Sequence, residues 1–396
     1  MSYANEKTQQ HTNSADLHSR TCQANILALL LAPIKSYVSL FTALALPSFI
    51  PLLQSQTYPT RRSLACEIAQ SLIRNGTKIS TESNLEAVFE ILKVLIKEGQ
   101  QQPAYTGSAG RRGQESDEAV EEQGWLARIV HLVYSPDNDT QFKVSPCLQS
   151  LIITTNVKQL LQIVRKHLGE GGERIRYTSP ALNTACLALA RRLKQREHLE
   201  DNYKSTSQAL YKFQHSILST LYSRCGSSGS TSSVSASGGS SSSVAELTLR
   251  LFLTAGQIAD QTGFEEISYE FFAQAFTVYE ESVSDSRSQF QAVCCIAGAL
   301  HSTRGFSREN YDTLITKCAL HGSKLLKKPD QCRAVCAASH LWWATEVRGR
   351  EADGDQEEGK EGKEVSFPVS PGCPFCQTSL LIYLLFPALP RRQARP

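Results

Sequence analysis

Apolar residues recur every three or four positions along most of this chain, and an alternating period is nearly absent. Such spacing builds one-sided helices and leaves little material for a sheet. Arg61 to Arg74 places Leu64, Ile68, Leu72 and Ile73 on one face, and Asn75-Gly76 is a helix stop. Ser83 and Glu86 are spaced as a capping box that opens a second helix, with Leu85, Val88, Phe89, Leu92, Leu95 and Ile96 inward and Gly99 at its end. The short link between the two predicts an antiparallel helical hairpin.

The pattern continues downstream. Glu118 to Tyr134 directs Trp125, Leu126, Ile129, Val130 and Val133 inward, and Ser179-Pro180 opens a helix through Arg196. Further helices are expected over 208–224, 244–260, 264–282, 287–303, 309–326 and 330–344. Helices of this length on short turns, without an exact repeat, predict an all-α fold: a HEAT-like helical-hairpin solenoid with disordered loops and an irregular C-terminal tail. A compact multi-helix bundle is the structural competitor.

Composition marks the breaks. Residues 100–117 are polar and Gly-containing and read as a loop. Residues 225–243 are nearly all Ser and Gly and cannot bury enough apolar area to fold. Residues 349–364 are rich in Gly, Glu and Lys, and 365–396 carry Pro, Cys and aliphatics without helical spacing. The expected organisation is a first solenoid segment over 1–224, a flexible loop over 225–243, a second solenoid segment over 244–348 and a disordered linker and tail over 349–396.

A net charge of +3 over 396 residues, without a basic stripe, argues against a dedicated nucleic-acid binder. Met1 to Arg20 lacks the apolar core of a signal peptide. Ala24 to Leu53 is apolar and long, but it contains Lys35, Pro33, Pro47 and Pro51, so buried helices are expected there rather than a membrane span. The 12 cysteines are scattered, and Cys66, Cys186, Cys294, Cys295 and Cys318 sit within apolar helical patterns, as reduced thiols packed like small hydrophobes.

Chemistry-bearing motifs are weak. Cys373-Pro-Phe-Cys376 has redox spacing but lacks the strand–helix frame of a thioredoxin site, and no second pair completes a zinc site. Gly169-Glu-Gly-Gly172 follows a helix, not a strand, and reads as a helix-terminating turn. His167, His215 and His340 form no paired metal motif. The expectation is no catalytic residue, no cofactor and no metal. Glu265, Glu266, Glu270, Glu280, Glu281 and Asp285 make one helix acidic, by default a solvated face. Lys327-Lys328-Pro329-Asp330 reads as a helix–turn–helix junction, its basic pair suited to the preceding C-terminus and Asp330 to capping the next helix. Trp342 and Trp343 point about 100° apart on a helix, so one of them is a candidate partner contact.

Long blocks of the chain resemble the vacuolar protein sorting 35 family, the retromer large subunit. They are Ser323-Lys-Leu-Leu-Lys-Lys-Pro-Asp-Gln-Cys-Arg-Ala-Val335 with His340-Leu-Trp-Trp343, Tyr269-Glu-Phe-Phe-Ala-Gln-Ala-Phe276, His167-Leu-Gly-Glu-Gly-Gly-Glu-Arg-Ile-Arg-Tyr177 and Ala245-Glu-Leu-Thr-Leu-Arg-Leu-Phe-Leu253. The likeness starts at Ser2-Tyr-Ala-Asn-Glu-Lys7 and runs to about Arg350. It implies a non-enzymatic α-solenoid scaffold in retrograde endosome-to-Golgi transport, cytoplasmic and peripheral on the endosome membrane. Its carboxy-terminal half is implied to curve around the phosphoesterase-like subunit, vacuolar protein sorting 29. Cargo tails and sorting nexins are further implied partners. The Pro-Arg-Leu-Tyr-Leu motif that binds the arrestin-like subunit is absent, so that site is expected to be missing. The most family-specific block nominates Lys327, Asp330, Gln331, Arg333 and Trp342 as partner-binding residues. A different helical-repeat adaptor is the alternative.

Three departures from the family pattern set further expectations. Met1 looks like an internal methionine. Residues 144–159, with Pro146 and Cys147, look like an insertion interrupting a helix. Residues 365–396 replace the family's further helices. Together these suggest a partial or mis-spliced version of the family chain. Without covering helices, Leu314, Leu325, Val335 and Trp342 are expected to border an uncapped end that limits solubility.

Overall fold

The computed structural model describes residues 1–11, 17, 19–37, 39–97, 117–133, 146–195, 197, 203–226 and 240–353. Among them the fold is all-α. The helices are α1 (Ser2–Gln10), α2 (Arg20–Ser36), α3 (Leu40–Leu44), α4 (Phe49–Gln54), α5 (Tyr58–Asn75), α6 (Glu82–Ile96), α7 (Asp117–Val130), α8 (Pro146–Leu168), α9 (Ile175–Gln195), α10 (Tyr203–Leu221), α11 (Ser240–Gln261), α12 (Glu265–Ser282), α13 (Ser286–Ser302), α14 (Arg308–Ser323) and α15 (Lys328–Asp353). Most of the loop and tail expected over 100–117, 225–243 and 349–396 lies outside the described residues, but their described ends are helical rather than irregular: 117 opens α7, 225–226 continue the helical turn after α10, 240–243 begin α11 and 349–353 end α15. The chain forms two compact units, Met1–Gln289 and Phe290–Pro396.

The first unit is a stack of helical hairpins. α5 packs on α6, α9 on α10 and α11 on α12, while α5 meets α7, α6 meets α8 and α7 meets α9, so each hairpin lies on the one before it. The α5–α6 hairpin forms as its sequence predicts. Gly76 takes the left-handed conformation (φ 57°) that ends α5, with the Thr77 amide reaching back to the Leu72 carbonyl at 3.1 Å. The six apolar residues predicted inward on α6 are all buried. Its cap, however, is Thr81, whose hydroxyl accepts from the Asn84 amide at 3.4 Å, rather than Ser83. Within α7, Leu126, Ile129 and Val130 are buried and Trp125 stays half-exposed, as does Val133 just beyond the helix end.

Residues 24–53 form α2, α3 and α4 as expected, and no helix among the described residues is long and apolar enough to cross a membrane. Only Pro47 separates helices; Pro33 lies inside the end of α2 and Pro51 in the first turn of α4, where a missing amide is tolerated. From Pro146 onward, the segment expected to be an insertion forms the first part of α8, with Pro146 at the first helical position. α9 begins at Ile175 rather than at Ser179-Pro180, because a 3₁₀ turn over Gly169–Arg174 delivers the chain directly into the helix. That turn contains Gly172 at φ 59° and confirms Gly169–Gly172 as a helix-ending element.

Residues on both sides of 225–243 share one apolar cluster, Ile175, Leu221 and Val244. Deeper in the unit, Tyr203 and Tyr211 pack on Phe264, Phe252 and His215 pack on Phe271, and both tyrosines bond to Thr262, through its carbonyl at 3.0 Å and its hydroxyl at 2.6 Å. α11 and α12 approach closely at Gly256, where an added Cβ would lie 2.9 Å from the Phe272 ring.

In the second unit, α14 and α15 form a hairpin around Leu314, Ile315, Cys318, Ala334, Ala338 and Leu341, all nearly inaccessible. Gly322 faces Ala334, and the two small residues bring the helices together. Leu314 and Leu325 are therefore core residues, contrary to the expectation that they border an open end; Val335 and Trp342 are exposed.

Candidate partner-binding surface

The five residues nominated from sequence fall within one stretch, the turn after α14 and the first four turns of α15. The helix begins at Lys328, so the local chemistry differs from the prediction. Lys328 sits at a helix start, not beside the preceding C-terminus, and Asp330 lies in the first turn rather than at the cap. Its carboxylate there faces the positive end of the helix dipole. Lys327 is exposed and its carbonyl accepts from the Gln331 amide at 2.9 Å.

Gln331 turns inward for a structural purpose. Its side-chain amide donates to the Leu325 carbonyl at 2.6 Å and closes the interhelical turn. Arg333 reaches Asp330 at 3.9 Å, with its side chain 71% exposed. A pair that long and that wet contributes little, so the guanidinium remains available to a partner. Trp342 follows the buried Leu341 and is 39% exposed, placing a large aromatic at the surface of a well-packed hairpin. The structure thus leaves Lys327, Arg333 and Trp342 outward, and assigns Gln331 to the turn. Val335, with Leu326 in the turn, adds apolar surface on the same hairpin.

The acidic helix resolves into separate roles. Glu266, Glu270, Glu280 and Glu281 are exposed, and Glu281 accepts a 2.6 Å bond from the Tyr222 hydroxyl. Asp285 accepts from the Arg287 and Ser288 amides at 3.1 and 3.0 Å, capping the start of α13.

A groove of about 1310 Å³ in the first unit was not anticipated. α6 supplies Glu90 and Lys93 and its C-cap Lys97, and α8 with its following turn supplies Lys166, His167 and Glu170. Two ion pairs line it, Lys97 with Glu170 at 3.0 Å and Lys93 with Glu90 at 3.3 Å. The bond from Lys97 holds the Glu170 carboxyl below its usual range, and burial beside Phe89 holds the His167 imidazole below its own. No sequence motif marked these residues, because they come from helices far apart in the chain. Among the described residues no group of three or more His, Cys, Asp or Glu side chains is gathered to hold a metal ion.

Comparison with known proteins places this architecture. A family model described as vacuolar protein sorting-associated protein 35 matches residues 1–366, spanning both units. Vacuolar protein sorting-associated protein 35 of Schizosaccharomyces pombe is 31% identical over 327 residues, 83% of this chain and 33% of the relative. Protein 35C of Arabidopsis thaliana is 32% identical over 324 residues, 81% of this chain and 36% of the relative. The Dictyostelium discoideum protein of the same name is 24% identical over 335 residues. The chain spans about a third of the length of the relatives it matches.

Proposed function

This chain belongs to the vacuolar protein sorting-associated protein 35 family, and we propose that it acts as a scaffold of the retromer complex in endosome-to-Golgi transport. The observation that carries this reading is a family match through residue 366, across both compact units, on an all-α hairpin architecture. The work proposed is shape recognition without catalysis. Stacked hairpins present a surface on which a globular partner buries area, and the proposed partner is the phosphoesterase-like subunit, vacuolar protein sorting 29. Association with endosomal membranes is then peripheral, with cargo tails and sorting nexins as further partners.

The proposed contact surface is the α14–α15 hairpin. Trp342 offers a rigid aromatic and Arg333 an exposed guanidinium, the residue types that dominate binding energy at interfaces. Lys327 adds charge at the rim, Asp330 lies one turn before Arg333, and Gln331 holds the turn that presents them.

Size-exclusion co-elution and calorimetry with the purified phosphoesterase-like subunit test the reading. A stoichiometric complex is expected, weakened about tenfold or more by Trp342→Ala or Arg333→Ala. Val120→Ala, an exposed position on α7 in the other unit, should leave affinity unchanged. A complex indifferent to Trp342 and Arg333 would move the surface elsewhere. A folded helical chain that forms no complex would show that the family function is not retained here.

A further inference from the structure

The described cysteines divide sharply. Cys186 and Cys318 are buried, and Cys22, Cys66, Cys294 and Cys295 are half-buried. Cys332 and Cys336 are free and exposed, and both lie on α15. Four residues apart on a helix, they share a face, with Cβ atoms about 5–6 Å from each other. α15 turns Ala334, Ala337, Ala338 and Leu341 into the hairpin core, so the two sulfurs stand on the solvent side of the helix.

This spacing discriminates between the fates of a thiol pair. A disulfide requires Cβ atoms about 3.5–4.5 Å apart, closer than a regular helical turn brings them. Structural zinc requires four ligands, and no cluster of even three converges among the described residues. His340 continues the stripe past Cys336, but it lies about 12 Å of helix rise from Cys332 and cannot close on a metal held by both sulfurs. What remains is two soft donors on an exposed helix face. Two thiolates suit a thiophilic monovalent ion of low coordination number.

We propose that Cys332 and Cys336 form a two-sulfur chelating site on the outer face of α15 that takes a soft monovalent metal ion, Cu(I). Coordination displaces both thiol protons to solvent, and the bis-thiolate complex carries one net negative charge. Lys328, one turn before Cys332 on the same face and exposed, offsets that charge. The assignment rests on the placement of these side chains and not on the scaffold role.

The test is a titration of the reduced full-length chain with Cu(I) under anaerobic conditions, in competition with a bicinchoninate chelator. Cys373→Ser and Cys376→Ser are first introduced to remove the other closely spaced pair. This parent is expected to withdraw about one Cu(I) per chain from the chelator. Cys332→Ser and Cys336→Ser should each abolish that withdrawal, with an unchanged helical circular dichroism spectrum because both positions are exposed. Cys22→Ser should have no effect. Retention of Cu(I) in either single variant, or no withdrawal by the parent, would overturn the site. Equally tight Zn(II) binding that needs both cysteines would overturn the metal class.

Discussion

Arg62 holds Glu122 through two guanidinium nitrogens, Nε at 2.9 Å and Nη2 at 2.6 Å, and so ties α5 to α7. Glu122 is only 5% exposed, and its other neighbour is the Cys66 thiol at 3.7 Å. Arg62→Met strands this carboxylate and should cost about 2–3 kcal/mol, below the roughly 3–5 kcal/mol of a fully buried broken pair because Arg62 is partly wet. The double variant Arg62→Met/Glu122→Met should recover most of the loss. Denaturant unfolding of the two variants checks both values, and equal stability of single and double variants would refute the argument.

Gly256 and Gly124 should respond oppositely to alanine. At Gly256 a Cβ would meet the immobile Phe272 ring at 2.9 Å, whereas at Gly124 nothing lies within 4 Å. Overpacking costs about 1–3 kcal/mol and outweighs the helix-propensity gain of about 1 kcal/mol. Gly256→Ala is therefore expected to lower the melting temperature and Gly124→Ala to raise it slightly, as calorimetry would show.

Alkaline pH should unfold the chain. Burial pushes the Cys186 and Cys318 thiols and the Tyr211 hydroxyl up to about 12, from ordinary values of 9.0 and 10.0. Folded values are raised, so the unfolded chain ionises first. The stability from keeping these groups neutral is intact below about pH 9 and is lost as pH climbs toward 12. Each group adds roughly 1 kcal/mol of loss per pH unit in that window. Denaturation midpoints should be flat from pH 7 to 8.5 and then fall, and Cys186→Ala should flatten the fall. A midpoint independent of pH up to 11 would contradict this.

Self-association should follow from the α14–α15 hairpin. Leu326 is 79% exposed and Leu320 is 52%, alongside Val335 and Trp342. Sedimentation at increasing concentration is expected to show species above the monomer. Leu326→Lys with Trp342→Lys should raise the apparent dissociation constant about tenfold or more. A monodisperse monomer at all concentrations would rule this out.

Helix identity was legible because the three-to-four-residue period is a local property of the chain. Leu85, Val88 and Phe89 on α6 announce their face without reference to any other helix. Ends were less legible. Ser179-Pro180 carries a strong start signal, yet α9 already runs through it from Ile175. Pro146 opens α8, within the segment expected to be an insertion. Propensity at a boundary is worth a few tenths of a kcal/mol to about 1 kcal/mol, and burying one apolar side chain outweighs it.

The candidate surface divides along the same line. The sequence alone established an all-α hairpin chain, its family resemblance and the block around Lys327 to Trp342, since each depends on residue order. It could not separate Gln331, spent on the Leu325 carbonyl, from Arg333, left in water. Nor could it tell buried Cys318 from exposed Cys332 and Cys336, or bring Arg62 to Glu122. Those distinctions arise only when helices distant in the chain pack together, because exposure and pairing are set by what covers a side chain and not by its neighbours in sequence.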